Sequence, residues 1–141
     1  MSSKIHPTAV IDPTAIIGNN CVIGPYCVIG PNVVIGDDNI LQAHVVVDHY
    51  TTIGKGNRFF QFASIGADPQ DYTYNGEPTK LIIGDFNQFR ECVTINRGTM
   101  KETGETVLGS HSLYMAYVHV GHDCHIGDYC TIANSCNIAG H

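Results

Sequence analysis

One aliphatic or aromatic residue returns every six residues along almost the whole 141-residue chain. A short fixed period of this kind is typical of a solenoid, in which each strand stacks on the next coil. The sequence therefore predicts an all-β fold, a parallel β-helix of hexapeptide repeats. These residues, called anchors below, are Ile5, Ile11, Ile17, Ile23, Ile29, Ile35, Leu41, Val47, Ile53, Phe59, Ile65, Ile83, Phe89 and Ile95 and, after a shift of one, Leu108, Tyr114, Val120, Ile126, Ile132 and Ile138.

Two further positions of the repeat are restricted to small residues. A glycine often follows the anchor directly, as at Gly18 and Gly36, which predicts a tight corner there. The fourth residue after the anchor is small or short and predicts a second inward row. Five of the six cysteines fall in that row, so we interpret them as core thiols and not as a disulfide or metal framework. They are Cys21, Cys27, Cys124, Cys130 and Cys136.

Composition and charge exclude several classes of function. The net charge is −6 and there is no basic tract, which argues against a nucleic-acid partner. No apolar run approaches the length of a membrane span. The repeat begins within the first few residues, so we expect no signal peptide and a cytoplasmic location. We expect one domain over residues 1–141.

Two segments interrupt the repeat and are predicted to be loops that leave the helix. The first covers about residues 67–82, and the second, at about residues 96–107, shifts the phase by one residue. Asp-Pro and Glu-Pro pairs in the first segment are typical of turns. Loops on a rigid scaffold commonly carry binding groups, so both are candidate functional segments.

The histidines supply the candidate chemistry. Three of them form the pattern His119-x-x-His122-x-x-His125, and His141 follows one coil later. His122 lies outside both inward rows and precedes Asp123, which suits a general base whose orientation a carboxylate fixes. A solvated surface histidine and a zinc site of three imidazoles are the alternatives. His119 and His125 should lie on different faces of the coil, which weakens chelation within one chain.

Several segments taken together closely resemble a known enzyme family. They are residues 61–66 (QFASIG), 76–80 (GEPTK), 90–99 (RECVTINRGT) and 119–124 (HVGHDC), with Ala-Gly-His at 139–141. In one register over the whole chain, they resemble the acyl-[acyl-carrier-protein]–UDP-N-acetylglucosamine O-acyltransferases. The resemblance implies a left-handed parallel β-helix that assembles as a homotrimer with active sites between subunits.

The resemblance also implies an activity and roles for individual residues. The family transfers an (R)-3-hydroxyacyl chain from acyl carrier protein to the 3-hydroxyl of UDP-N-acetylglucosamine, the first step of lipid A biosynthesis. His122 would be the general base, Asp123 its orienting partner and the Gly140 N–H the oxyanion donor. The sugar and acyl groups would contact Gln70, Asp71, His119 and His141. Such chemistry needs no cofactor and no metal.

Two departures from the family pattern leave other functions open. Many members have a lysine where this chain has Thr73, and the family continues beyond the Ala-Gly-His motif, so we expect this chain to be the N-terminal β-helical part only. One alternative is a trimeric zinc hydratase resembling the γ-class carbonic anhydrases. The other is a β-helical fragment without catalytic activity.

Overall fold

The computed structural model describes residues 2–141, which form twenty short strands and no helix. The described residues accordingly include no helix that could cross a membrane. In chain order the strands are β1 (Lys4–Ile5), β2 (Val10–Ile11), β3 (Ile16–Ile17), β4 (Val22–Ile23), β5 (Val28–Ile29), β6 (Val34–Ile35), β7 (Ile40–Leu41), β8 (Val46–Val47), β9 (Thr51–Ile53), β10 (Arg58–Phe59), β11 (Ser64–Ala67), β12 (Lys80–Ile83), β13 (Gln88–Phe89), β14 (Thr94–Asn96), β15 (Glu105–Leu108), β16 (Leu113–Tyr114), β17 (His119–Val120), β18 (His125–Ile126), β19 (Thr131–Ile132) and β20 (Asn137–Ile138).

Every third strand joins the same parallel sheet, so three hexapeptides make one coil of a left-handed parallel β-helix. Sheet A has the order β1-β4-β7-β10-β13-β16-β19, and sheet B has the order β2-β5-β8-β11-β14-β17-β20. Sheet C has the order β18-β15-β12-β9-β6-β3. The predicted fold class is thus confirmed, and the register places anchor on anchor, for example Ile5 on Ile23.

The core is a narrow column filled by the two inward rows. Anchors from Ile23 to Val120 are almost completely buried, and the aromatic anchors Phe59, Phe89 and Tyr114 stack face to face at 4.8 Å between ring centroids. That spacing equals the separation of hydrogen-bonded strands, so stacked rings continue the backbone ladder inside the column. Burial of this apolar area is the main stabilising term of the coil.

Part of the second inward row is polar. Asn39, Asn57 and Asn87 are buried, and each side-chain oxygen accepts the backbone N–H of the residue stacked in the next coil, at 2.8–2.9 Å. The Asn57 amide also donates to Gly84 O at 2.9 Å. Since both ends of each amide are bonded, this polar row avoids the cost of unpaired buried groups.

The cysteines of the inward row differ in burial along the helix. Cys21, Cys27 and Cys124 are buried and their thiols point at carbonyls of the next coil, for example Cys27 Sγ to Gln42 O at 2.9 Å. Cys130 is half-buried and Cys136 is exposed, because no later coil of this chain covers them. The prediction that all five are core thiols is therefore wrong for these last two.

At most positions the glycine after the anchor is needed for space and not for its backbone angles, the exception being Gly66, whose φ is 86°. The left-handed corner conformation falls two residues later, where non-glycine residues such as Asn20 and Asp123 have φ of 58° and 65°. A Cβ on Gly36 would lie 2.7 Å from Gly54 O in the next coil. Coil-to-coil contact, and not the corner geometry expected from the sequence, therefore selects glycine at this position.

Both loops emerge from the same edge of the helix. Residues 68–79 connect β11 with β12, and residues 97–104 connect β14 with β15, so each leaves sheet B and returns to sheet C. The loops are shorter than the expected 67–82 and 96–107, because β12 and β15 begin early and pair over four residues, Lys80–Ile83 with Glu105–Leu108. We call this side the B–C edge, formed by the corners and loops that follow the strands of sheet B.

We predict that Gly109→Ala destabilises the 141-residue chain, whereas Gly127→Ala does not. Both glycines follow an anchor of sheet C, but a Cβ on Gly109 would lie 2.8 Å from Gly127 O, while a Cβ on Gly127 meets nothing within 4 Å. Overpacking of this kind costs about 1–3 kcal/mol. Urea denaturation followed by circular dichroism should show a lower midpoint for the first variant only. Equal midpoints would contradict the packing explanation.

Candidate active site

His122 and Asp123 form one corner of the B–C edge, between β17 and β18. The Nδ1 atom of His122 lies 3.0 Å from Oδ2 of Asp123, and the carboxylate is fully shielded from solvent. The imidazole is also largely covered, with 12% of its side chain exposed, so it projects less freely than the repeat predicts. If Nδ1 donates its proton to the carboxylate, Nε2 presents its lone pair as a base.

Thr99, in the loop of residues 97–104, holds the Asp123 carboxylate from the other side. Its backbone N–H donates to Oδ1 at 2.7 Å, and its hydroxyl donates to Oδ2 at 2.5 Å. Burial by itself would raise the pKa of Asp123, but the hydrogen bonds from Thr99 and His122 outweigh it and lower that pKa below its ordinary value. Asp123 therefore stays ionised and able to orient the imidazole.

Gly140 and His141 lie one coil further along the same edge. The rings of His122 and His141 meet edge to face at 4.8 Å, as the spacing of nineteen residues predicts. His141 N donates to His122 O at 2.8 Å, and His141 Nδ1 is 3.3 Å from Glu102 Oε1. A Cβ on Gly140 would lie 2.5 Å from Nε2 of His122, so only glycine leaves room for the imidazole in this position.

The Gly140 N–H is an unused hydrogen-bond donor among the residues that the structure describes. It stands two residues after its anchor, a corner position that prolines occupy elsewhere in the chain, at Pro7, Pro13, Pro25 and Pro31. Proline has no N–H, so this position of the coil does not need one for stacking. At residue 140 the N–H is free, and the Cβ position of the same residue lies 2.5 Å from Nε2 of His122, so the residue that offers an oxyanion donor packs against the imidazole.

His119 lies on the outer face of β17, one strand away from the corner. Its Nδ1 is 2.8 Å from the Thr94 hydroxyl on the neighbouring strand β14. Burial lowers the pKa of His119, the bond to Thr94 opposes that change, and the nearby His122 lowers the pKa further. His119 is thus a neutral hydrogen-bonding group at neutral pH.

Gln70 and Asp71 occupy the loop of residues 68–79, two coils before the His122 corner. They line a shallow cavity of about 420 Å³ with Tyr72, and Gln70 makes no side-chain hydrogen bond within residues 2–141. The backbone N–H of Thr73 donates to Asp71 and is the main reason why the pKa of Asp71 is well below its usual range. The Thr73 hydroxyl and Lys101 add to this effect. Thr73 therefore fixes the carboxylate in place.

Sequence reasoning missed the residues of the second loop that join these groups. Thr99 contacts Asp123, Lys101 contacts Asp71 at 3.0 Å, and Glu102 contacts His141. Arg97 is buried and donates to Gly66 O at 2.6 Å and Asp68 Oδ1 at 2.7 Å. The signal that could have found them is the position of this loop, one coil before His122 on the same corner.

The structure does not gather the three histidines that a zinc site would need. His119 lies in sheet B and His125 in sheet C, as their spacing predicts, and His125 is exposed. The only group of three metal-ligating residues among residues 2–141 is His122, Asp123 and His141, whose ligand atoms lie within 4.8 Å of one another. In that group Asp123 Oδ2 already accepts hydrogen bonds from His122 and Thr99.

Comparison with known proteins identifies the family. The bacterial transferase hexapeptide model, which describes six repeats, matches residues 2–31, 14–49 and 105–140. The chain belongs to this family. It is 48% identical over 119 residues to an acyl-[acyl-carrier-protein]–UDP-N-acetylglucosamine O-acyltransferase of Saccharophagus degradans, covering 84% of this chain and 46% of that protein.

Two further matches agree with this relationship. A protein of the same name from Psychromonas ingrahamii is 58% identical over 81 residues, covering 57% of this chain and 31% of the relative. The structure of LpxA from Acinetobacter baumannii superposes with a TM-score of 0.96 at 49% identity, covering 97% of this chain and 53% of that one. These matches confirm the resemblance that the motifs indicate. The chain spans about half the length of the proteins it matches.

We predict that His119 titrates below the ordinary histidine value of about 6.5. The unfolded chain then binds more protons than the folded chain as the pH falls through that value. The contribution of His119 to the free energy of unfolding is therefore complete above about pH 6.5 and is lost on acidification towards the folded pKa. Proton NMR of the imidazole gives the midpoint, and His119→Gln should flatten the pH dependence of the urea midpoint. A His119 midpoint above that of an unfolded histidine peptide would contradict this.

Proposed function

We propose that this chain carries the catalytic edge of an O-acyltransferase. The enzyme moves an (R)-3-hydroxyacyl chain from acyl carrier protein to the 3-hydroxyl of UDP-N-acetylglucosamine, the first step of lipid A biosynthesis. The names of the matched relatives support the donor and the acceptor. The observation that carries the mechanism is the His122–Asp123 pair, with Gly140, whose N–H is free, packed against the imidazole of His122.

The proposed reaction needs only groups that the B–C edge provides. His122 Nε2 takes the proton of the sugar 3-hydroxyl while its oxygen attacks the thioester carbonyl carbon. Negative charge then develops on the carbonyl oxygen, and the Gly140 N–H donates to it. When the intermediate collapses, the carbon–sulfur bond breaks, and the imidazolium of His122 returns its proton to the departing thiolate.

The remaining candidate residues would bind the substrates around this pair. Asp71 and Gln70 lie on the first loop and would contact the sugar, while His119 and His141 flank His122 along sheet B and the edge. A neutral His119 can both accept and donate a hydrogen bond to hydroxyl groups. The assignment uses no metal or cofactor, and a cytoplasmic location is part of the proposal.

We also propose a homotrimer with sites between subunits. From β2 to β7 the outward strand positions are apolar on all three sheets and largely exposed, including Val10, Ile16 and Val22. Exposed apolar surface of this extent is typical of a surface that a partner covers. Sedimentation should give three copies per particle, and a stable monomer at micromolar concentration would contradict this proposal.

We predict that His122→Ala in the full chain lowers kcat by about 10²–10⁴. Asp123→Ala should cost less, because Asp123 orients the base and does not itself take the hydroxyl proton. Transfer from acyl carrier protein to UDP-N-acetylglucosamine is measured with and without chelator, and circular dichroism checks the fold of each variant. Undiminished transfer by the His122 variant would overturn the mechanism. Full inhibition of the native protein by chelator would also overturn it, because the proposed mechanism uses no metal.

A further inference from the structure

The loop of residues 97–104 contacts both halves of the proposed site. Thr99 bonds to Asp123 on the following coil, and Lys101 bonds to Asp71 on the preceding loop. Only Met100 separates Thr99 from Lys101, so a single short segment holds both the carboxylate beside the base and the carboxylate proposed to bind the sugar.

The first residues of this loop are firmly attached to the scaffold. Arg97 is 2% exposed and donates to Gly66 O at 2.6 Å, to Asp68 at 2.7 Å and to the Tyr74 hydroxyl at 2.7 Å. Gly98 N also donates to Lys80 O at 3.1 Å. Thr99 therefore starts from a fixed backbone, and its two bonds to Asp123 can transmit that rigidity to the carboxylate.

The Thr99 hydroxyl and His122 share one carboxylate oxygen. Oδ2 of Asp123 accepts from the hydroxyl at 2.5 Å and from His122 Nδ1 at 3.0 Å, while Oδ1 accepts the Thr99 N–H. A carboxylate held at both oxygens cannot rotate about its χ2 angle. Thr99 thus sets the direction from which the Asp123 carboxylate accepts the imidazole proton. Hydrogen bonds to a charged carboxylate are short and strong.

Lys101 contacts the first loop, whereas Thr99 contacts the His122–Asp123 corner. Its ammonium lies 3.0 Å from Asp71 Oδ2, while 48% of the lysine side chain remains exposed. Thr99, Met100 and Lys101 line a cavity of about 290 Å³ together with Thr73, Tyr74 and Glu77 of the first loop. The ion pair between Lys101 and Asp71 therefore joins the two loops beside this cavity.

We propose that Thr99 is a positioning residue that orients the His122–Asp123 pair, and that Lys101 positions Asp71 relative to that pair. The second loop then fixes the distance between His122, the proposed base, and Asp71, the proposed sugar-binding residue. This inference rests on the proposed function for its kinetic consequences. Its structural part, the hold of Thr99 on Asp123, stands independently of any activity.

Thr99→Val tests the first half, since valine keeps the shape and the backbone N–H but loses the hydroxyl. We expect the Asp123 carboxyl to titrate at a higher pH in ¹³C NMR, because a donor to its anionic form is gone. We also expect kcat to fall about tenfold or more, with little change in KM. Thr99→Ser keeps the hydroxyl and should restore both values. Thr103→Val, in the same loop with its hydroxyl on Glu105 O, is the matched control.

The two readouts separate failure of this inference from failure of the proposed function. If the native protein transfers no acyl group, the proposed function fails, and the Asp123 titration alone still decides the role of Thr99. An unchanged Asp123 titration in Thr99→Val overturns the inference. If that variant does not fold, Thr99→Ser decides: a Ser variant with a raised Asp123 titration also overturns it.

Lys101→Met tests the second half. We expect KM for UDP-N-acetylglucosamine to rise about three- to fivefold while kcat stays within about twofold, since an exposed ion pair contributes modestly. Lys101→Arg should retain most of the affinity. Lys80→Met is the control, because Lys80 lies on β12 and makes no bond to Asp71. A native KM in Lys101→Met overturns this half, as does a loss confined to kcat.

Discussion

The close stacking of one coil on the next is the constraint on which the rest of the structure depends. Each strand pairs in parallel with the strand three further along, and this pairing sets every residue against its equivalent in the neighbouring coil. The backbone separation is that of neighbouring strands, which leaves no room for a Cβ after many anchors. Glycine at that position, aromatic stacking at 4.8 Å and the buried asparagine row all follow from this one distance.

The same repetition builds the site, because corners stack as regularly as strands do. The two loops, the His122–Asp123 corner and His141 all follow strands of sheet B and so lie along one edge. Residues that are far apart in sequence are thereby brought within hydrogen-bond distance, as Thr99 and Asp123 are. An insertion at any other corner would point away from the histidines. The position of both insertions at this corner is what makes a shared site.

Much of this could be predicted from the sequence, since the repeat has a fixed length. The period gave the strands, the inward anchors and the approach of His141 to His122, which the ring distance of 4.8 Å confirms. The period does not predict the conformation of residues within the two loops. The contacts of Thr99, Lys101 and Glu102 depend on loop conformation, which has no repeat.

Two local predictions were wrong because they depend on information that a six-residue pattern does not carry. The left-handed φ values belong to residues such as Asn20 and Asp123, whereas the pattern suggested the glycine two residues earlier. Asparagine and aspartate tolerate this conformation better than most residues, but aromatic residues such as Tyr26 and Phe62 adopt it at the same corner position, so residue type alone does not locate it. The exposure of Cys136 reflects the absence of a covering coil within this chain, a property of position along the helix and not of the repeat.

In the proposed mechanism the coil and the loops have different roles, because proton transfer and substrate binding require different geometry. Proton transfer requires a fixed geometry, and His122 and Gly140 lie on corners whose backbone the coil hydrogen bonds determine. The two residues pack directly against each other, since the imidazole of His122 fills the space that a Cβ at residue 140 would need. No loop is required to bring them together. In the proposed function, sugar recognition would instead need groups that reach outward, such as Gln70 and Asp71 on the first loop. Asp123 connects the scaffold with the second loop, since its backbone lies on a coil corner and Thr99 of that loop holds its carboxylate.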